Sequence, residues 1–395
     1  MGTINISHPS VRRGWSMDIN RTKSQQSYLE LNGLFKPGDT NSIITGMKMK
    51  VSIDGDEGFK TGYRCDFDLD GPLDGYATPG DQNITQDRST LSLFNDTIEV
   101  NQARKSAKDQ GTFAEGLVPY SFMERVRNRM GQYWAEWEDQ HMIVKLCGAI
   151  GDGTWTRFDA ALAATSARDI KGSVAFDGND LRAPSTNRII YGDGTVTTAA
   201  TVTTNMGLNL DGIDACVLLA VRPQANATLQ RTVEPIIEQG RPTFVYLADM
   251  LSLVNMARDT SGRWYNLQRA FAEGGYKTSA LLNGAAGIYK SVAGYDVIIK
   301  PHPRMVYFSA ATTGGEKQVR NLLLGRSAGR IAHGVEQKSD PALNMYVGSE
   351  NDGNTKFVTT GYVVGFQKTA YRTTETGNTR EDYGTIAHDV YCNWS

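Results

Sequence analysis

Three groupings in this 395-residue chain place side chains at spacings that could do chemistry. Asp66, Asp68, Asp70, Gly71 and Asp74 fall at positions one, three, five, six and nine of a calcium-loop pattern. In such a loop, alternate oxygens converge on a hard cation and the glycine permits the sharp turn. Ala77 stands where the bidentate glutamate belongs, and Pro72 follows the glycine. The motif is incomplete, so Asp66, Asp68, Asp70 and Asp74 are a weak calcium candidate. The competing reading is a strand with acids on its solvent face that ends in a turn, and no cofactor is expected. Arg125, Arg127 and Arg129 supply the local cation density that phosphate contacts need. On a helix, residues two apart do not share a face, so these three fan around it and are expected to form structural ion pairs. The glycine-rich stretch 312–317 lacks the Ser or Thr that follows the lysine of a phosphate-binding loop, and reads as a turn.

The remaining reactive side chains are dispersed. His8, His141, His302, His333 and His388 form no metal-ligand motif, and Cys65, Cys147, Cys216 and Cys392 have no short spacing. That argues against a zinc site and against a disulfide framework, leaving mostly buried, reduced thiols. A carboxylate pair could hide among 43 acidic residues, but nothing singles one out. With 41 basic side chains against those 43, the net charge of −2 provides no global field for stand-alone nucleic-acid binding. The first twenty residues carry Arg12, Arg13 and Asp18 without an apolar core, unlike a signal peptide, and no run is long enough to cross a bilayer. The expectation is a cytoplasmically made protein with no membrane contact.

One element dominates the pattern. Over residues 120–147, Phe122, Val126, Met130, Tyr133, Trp134, Trp137, Val144 and Leu146 recur at intervals of three and four, with charges mostly between them. Pro119 suits the start of such a helix and Gly148 its left-handed stop. At about 1.5 Å per residue, the helix spans roughly 40 Å, the length of a structural spine. Met130, Trp134, Trp137 and Val144 are predicted to be its core face, packed beneath a sheet formed partly by 362–371 and 385–391. Before it, residues 1–40 read as an extended arm with isolated anchors. Residues 41–101 carry two or three alternating strands separated by the turn-rich stretches 54–58 and 71–81, a long hairpin too thin to bury its own core. Its apolar residues Phe59, Tyr63 and Phe67 are therefore intersubunit candidates.

After the helix, 151–204 reads as a long surface loop and 209–221 as a helix begun by acids. Strands at 244–247, 297–299 and 306–308, helices at 248–258 and 318–333, and closing strands at 362–371 and 385–391 complete an α+β pattern without a βαβ repeat. At 395 residues, two or three lobes are expected.

Several segments, in order, carry a resemblance. They are Gly55-Asp56-Glu57-Gly58 and Leu69-Asp70-Gly71-Pro72-Leu73-Asp74-Gly75; Ile98-Glu99-Val100-Asn101-Gln102-Ala103-Arg104; Trp134-Ala135-Glu136-Trp137-Glu138-Asp139 with Leu146-Cys147-Gly148; Trp264; Asn283-Gly284-Ala285-Ala286-Gly287-Ile288-Tyr289; Asn321-Leu322-Leu323-Leu324-Gly325; and Glu381-Asp382-Tyr383-Gly384-Thr385-Ile386-Ala387. No single segment is specific, but their order and spacing together are. Across nearly its whole length the chain resembles the major capsid proteins of tailed phages, in particular the N-four-type capsid family.

The resemblance implies the Hong Kong ninety-seven-like capsid fold. Its parts would be an N-arm (1–40), an E-loop hairpin (41–101), a P-domain (102–225) with spine helix 120–147, an A-domain (226–335) and closing P-domain strands (336–395). It also implies self-assembly as hexamers and pentamers into an icosahedral shell around double-stranded DNA. Portal, scaffold and decoration proteins would be partners, and the virion capsid the location. A tail-tube or decoration protein, or an enzyme with an unrecognised carboxylate site, is the alternative; the long helix and the split β-lobe disfavour the first two.

Overall fold

Two sheets meet on one long helix. The computed structural model describes residues 9–39, 41–50, 63–70, 77–81, 93–109, 111, 122–150, 176–222, 232–258, 264–265, 268–269, 279–308, 317–335, 343–372 and 380–392. The turns expected at 54–58 and 71–75, all of 312–317 but Lys317, and His8 lie outside the described residues.

The chain begins with α1 (Pro9–Gln26), the one-turn α2 (Tyr28–Leu31), β1 (Phe35–Pro37) and β2 (Ile44–Lys50). The extended arm expected over residues 1–40 is thus largely helical. Sequence pattern hides α1 because Ile19 is its one fully buried apolar side chain among those described. Long-range contacts hold it instead: Asp18 pairs with Arg127 at 3.2 Å, and the Met345 N–H donates to Ser16 Oγ at 3.1 Å.

Strands β3 (Arg64–Asp70) and β4 (Leu93–Glu99) form an antiparallel pair, followed by β5 (Asn101–Lys108) and the long helix α3 (Phe122–Cys147). Then come β6 (Ile189–Tyr191), α4 (Leu210–Val221), β7 (Ile236–Glu238), β8 (Arg241–Asp249) and α5 (Met250–Ala257). Asn209 caps α4 by accepting the Gly212 N–H at 2.7 Å, and Asp249 caps α5 by accepting the Leu251 N–H at 2.8 Å, the side-chain capping that short helices need. The remaining strands are β9 (Gly287–Lys290), β10 (Asp296–His302), β11 (Val306–Phe308), β12 (Gln318–Leu324), β13 (Gly329–Val335), β14 (Leu343–Glu350), β15 (Thr355–Lys368), β16 (Ala370–Arg372), β17 (Arg380–Asp382) and β18 (Thr385–Tyr391).

The first sheet runs β1-β2-β13-β15-β14, with β5 on the other edge of β15. The second runs β6-β18-β12-β8-β10-β9, with β11 beside β12 and β7 beside β8. One hydrophobic core is continuous across both and includes α3; a smaller one joins β3 and β4 to Met49, Ala332, Tyr371 and Tyr383.

Four expectations need correction. The helix expected over 318–333 is the pair β12 and β13, separated by a turn containing Ser327 at φ +52°. Every residue of β12 is buried, and a short continuous apolar run does not distinguish a strand covered on both faces from a helix. Within 41–101, β2 is not part of a hairpin but lies between β1 and β13 in parallel register. Residues 177–188 are not a surface loop, since Asp177, Asn179, Arg182 and Arg188 are buried. Finally, 385–391 belongs to the second sheet, away from β15 in the first.

The close approach of β15 to β4 depends on Gly365. A Cβ there would sit 1.9 Å from the Glu99 carbonyl oxygen, a backbone atom that cannot swing aside. Gly365→Ala is expected to destabilise the subunit by about 1–3 kcal/mol or more. Chemical denaturation of the purified subunit measures this; an unchanged midpoint contradicts it.

Candidate functional site

From Trp137 to Cys147, α3 is buried on every side. Met130, Trp134, Trp137 and Val144 face inward, Trp134 being 1 % and Trp137 3 % exposed. The two indoles meet edge to face at 5.2 Å; Trp134 packs on Tyr362 at 5.5 Å, and Trp137 on Phe366 at 5.5 Å and Phe176 at 4.9 Å. Trp134 Nε1 donates to Thr360 Oγ1 at 2.8 Å, so the buried N–H is satisfied. The stripe therefore lies on β15 and not on 385–391.

The same turns carry Glu138, Asp139, His141 and Lys145, all buried, and each must find a partner because an unpaired charge in the interior is costly. Lys23 of α1 donates to Glu138 Oε2 at 2.6 Å, and the Tyr362 hydroxyl donates to the same oxygen at 2.5 Å. Burial opposes charge at both members of the pair, but their mutual attraction raises the Lys23 pKa and lowers that of Glu138. Asp139 accepts from Ser27 Oγ at 2.9 Å and from the N–H groups of Tyr28 and Leu29 at 2.8 and 3.3 Å. Lys145 donates to the Asn179 carbonyl at 2.6 Å and to Asp177 at 3.2 Å, while Asp177 accepts the Phe366 N–H at 2.8 Å.

Beyond the helix, the frame continues. Gly148 ends α3 at φ +64°, in the left-handed conformation that glycine adopts freely. Arg320 of β12 donates to the last helical carbonyl, that of Cys147, at 3.0 Å and makes a two-pronged pair with Asp389 of β18, both contacts 2.7 Å. Arg182 grips Asp96 of β4 at 2.5 and 2.6 Å and donates to the Lys368 carbonyl at 2.9 Å, and Lys368 in turn pairs with Asp382 at 2.9 Å. All but the Lys368–Asp382 tie join elements distant in sequence. The signal that could have found the helical part was an apolar run, Met142 to Cys147, interrupted by Lys145 beside Glu138 and Asp139: a helix apolar all round is buried, so its charges must be paired. Their partners Lys23 and Asp177 carry no local signal, nor do Arg182 and Arg320, which extend the frame.

The other sequence-derived candidates are scattered. Phe67 is 5 % exposed in the small core, with the Arg330 guanidinium 3.6 Å from its ring centre, because β3 turns this face toward its own subunit; it is no free intersubunit residue. Tyr63, at the strand's start, is 67 % exposed, and Phe59 lies outside the described residues. Asp66 and Asp68 are exposed on the outer face of β3, Asp66 pairing with Arg64 at 3.4 Å, whereas Asp74 and the Asp70 side chain lie outside the described residues. No group of three metal-ligating side chains occurs among the described residues. All four cysteines are buried thiols outside any disulfide, and burial pushes the Cys147 thiol up to about 12. The described helices include none long and apolar enough to cross a membrane. Apolar side chains stand out at the periphery, among them Val292 (84 % exposed), Ile237 and Tyr265.

A frame whose buried charges tie one element to the next, under exposed apolar side chains at the periphery, is that of a structural subunit. Residues 15–393 match the phage capsid protein family, and the chain belongs to it. It is a major capsid protein, a building block of the icosahedral phage shell and not an enzyme. No curated protein matches the sequence. Among solved structures, the capsid of Ralstonia phage GP4 is similar at 22 % identity and TM-score 0.75, over 93 % of this chain and 92 % of that one. The Cyanophage Pam1 capsid follows at 16 % and 0.63, over 94 % of each chain, and the head of Helicobacter pylori bacteriophage KHP40 at 13 % and 0.60, over 93 % and 91 %. At such identities the likeness is one of fold, and the fold is the Hong Kong ninety-seven-like capsid fold.

Truncating Trp134 or Trp137 to alanine removes an indole wedged between α3 and β15, and is expected to cost about 3–5 kcal/mol of subunit stability. Denaturation of each variant as free subunit tests this; unchanged midpoints for both would place the indoles outside the core.

Proposed function

We propose that this capsid protein is of the N-four type, and that its copies form hexamers and pentamers that tile the shell around double-stranded DNA. The observation that carries the reading is the match to the phage capsid protein family over residues 15–393, together with the Hong Kong ninety-seven-like fold. Such tiling repeats one heterologous contact around each capsomer, which calls for a subunit rigid enough to present the same surfaces every time. The charge-tied frame around α3 supports that demand.

In this reading, residues 1–40 serve as the N-arm, 41–101 as the E-loop, 102–225 with 336–395 as the P-domain on its spine helix, and 226–335 as the A-domain. These divisions cut across the sheets, since β2 and β13 both belong to the first sheet and β6 and β18 to the second. Tyr63, exposed where β3 begins, and Phe59 serve as contacts to a neighbouring subunit. Portal, scaffold and decoration proteins are the expected partners, with assembly in the host cytoplasm. DNA contact is local and non-specific, because a net charge of −2 gives no attractive field.

Electron microscopy of purified protein under assembly conditions should show closed shells. Removing residues 74–90, between β3 and β4, should leave a folded, soluble subunit that makes no stable shells. Particles of normal stability from that deletion would show that the E-loop is dispensable, and protein that stays monomeric under every condition would count against the reading as a whole.

A further inference from the structure

Helices α1 and α3 lie side by side on the first sheet, α1 against β14 and α3 against β15. They run in the same direction, since Asp18 meets Arg127, Thr22 lies against Gly131 and Lys23 reaches Glu138. Gly131 permits the approach, because a Cβ there would sit 2.7 Å from the Thr22 side chain. Ile19, Met130 and Trp134 are buried, whereas Arg13 and Arg21 of α1 and Arg125 and Arg129 of α3 are exposed.

The outer face of the pair is cationic. Over α1 and residues 122–130, Arg12, Arg13, Arg21, Arg125, Arg127 and Arg129 stand beside two acids, Asp18 and Glu124, and the one lysine, Lys23, is buried against Glu138. The chain as a whole carries −2, so this positive excess is local. Two of the arginines are seated from within. Arg127 pairs with Asp18 at 3.2 Å and lies over the Trp15 ring at 5.7 Å, and Arg12 lies over Tyr346 of β14 at 5.1 Å. The ion pair expected of the α3 arginines thus forms at Arg127, while Arg129 donates to Gln132 on its own helix at 2.8 Å.

Resting on the reading that copies of this chain enclose double-stranded DNA, we propose that α1 and residues 122–130 of α3 are the face that meets its phosphates, and so line the interior of the shell. Arg13 and Arg21 stand two turns apart, about 12 Å, and Arg125 and Arg129 one turn apart. Packed helix axes lie about 8–10 Å from each other, so the two rows form one ridge. A duplex presents a charge for every ~1.7 Å of its axis, and such rows find phosphates in any register. The planar guanidinium fork fits phosphate oxygens with two hydrogen bonds. Because the helices are parallel, the positive ends of both dipoles fall at the same end of the ridge, and α1 has no acid in its first turn to offset its own. A protein partner's footprint calls for an apolar centre. Among the described residues of these two segments, Met17 is the one large apolar side chain that is exposed.

Fluorescence anisotropy of a short double-stranded oligonucleotide with the full-length subunit, between about 50 and 200 mM salt, gives the steepness of log affinity against log salt, about 0.9 per phosphate contact. The combined variant Arg13→Gln, Arg21→Gln, Arg125→Gln, Arg129→Gln should lower that steepness by about 3–4, and the same four positions changed to Lys should retain it. Arg222→Gln, Arg241→Gln, Arg258→Gln, Lys290→Gln removes the same charge from exposed positions around the second sheet and should leave the steepness unchanged. In DNA-filled particles of the unmodified protein, photocrosslinking should join nucleotides to peptides from α1 and residues 122–130. A subunit that binds no DNA, equal steepness in the ridge and control variants, or crosslinks confined to other elements would overturn the proposal. So would a ridge variant that keeps its DNA affinity but makes no shells, since the ridge would then seat a protein. Normal shells with unmoved steepness refute the ridge alone, whereas unmodified protein that forms no shells refutes the reading beneath it.

Discussion

A helix that is buried on all sides and yet carries charges constrains everything packed around it. Over the last three turns of α3, the backbone bonds are satisfied internally but Glu138, Asp139 and Lys145 cannot reach water. Each needs a partner brought by another part of the chain, so the helix dictates where α1, the 27–34 turn and residues 177–179 must lie. Glu138 is the most demanding, since Lys23, Tyr362 and, through Tyr362, His333 at 3.1 Å converge on it from three elements.

Such ties do not replace the hydrophobic term. The indoles of α3 and the buried side chains of β12, β8 and β10 belong to the continuous core whose apolar burial drives folding. A buried ion pair returns little over a well-packed apolar contact, because desolvation offsets most of the attraction. What it adds is discrimination: an apolar face accepts several registers, whereas a buried carboxylate tolerates only the one that delivers its cation. For a subunit whose surfaces must recur identically around a shell, that discrimination matters more than a gain in stability. The periphery is built differently, with β5 exposing Arg104, Lys105 and Lys108 along an outer strand, where charge deters indiscriminate strand pairing.

Much of the fold was legible because periodicity reports burial. The long helix, the capped helix at 210–221 and the strands at 244–247, 297–299 and 306–308 all announce themselves through apolar spacing and local capping residues. Where the deciding contact is distant, pattern fails. Helix α1 is polar in sequence and owes its place to α3 and β14, and β12 is so thoroughly buried that its apolar run carries no period. Hairpin reasoning placed Phe67 outward because a two-stranded ribbon cannot cover itself, but Met49, Arg330 and Tyr371 from elsewhere in the chain close over it. The charged frame was half visible: its helical members stand in an apolar context, but their partners lie 32 to 224 residues away.

The Lys23–Glu138 pair offers the most direct test, through a double-mutant cycle with Lys23→Met and Glu138→Gln followed by chemical denaturation of the free subunit. If the pair anchors α1 to the buried helix, each single substitution costs about 3–5 kcal/mol, the double variant loses much less than the sum, and α1 amides lose protection in the single variants. Additive losses below about 0.5 kcal/mol, the range of ordinary surface substitutions, with α1 still protected, would contradict it.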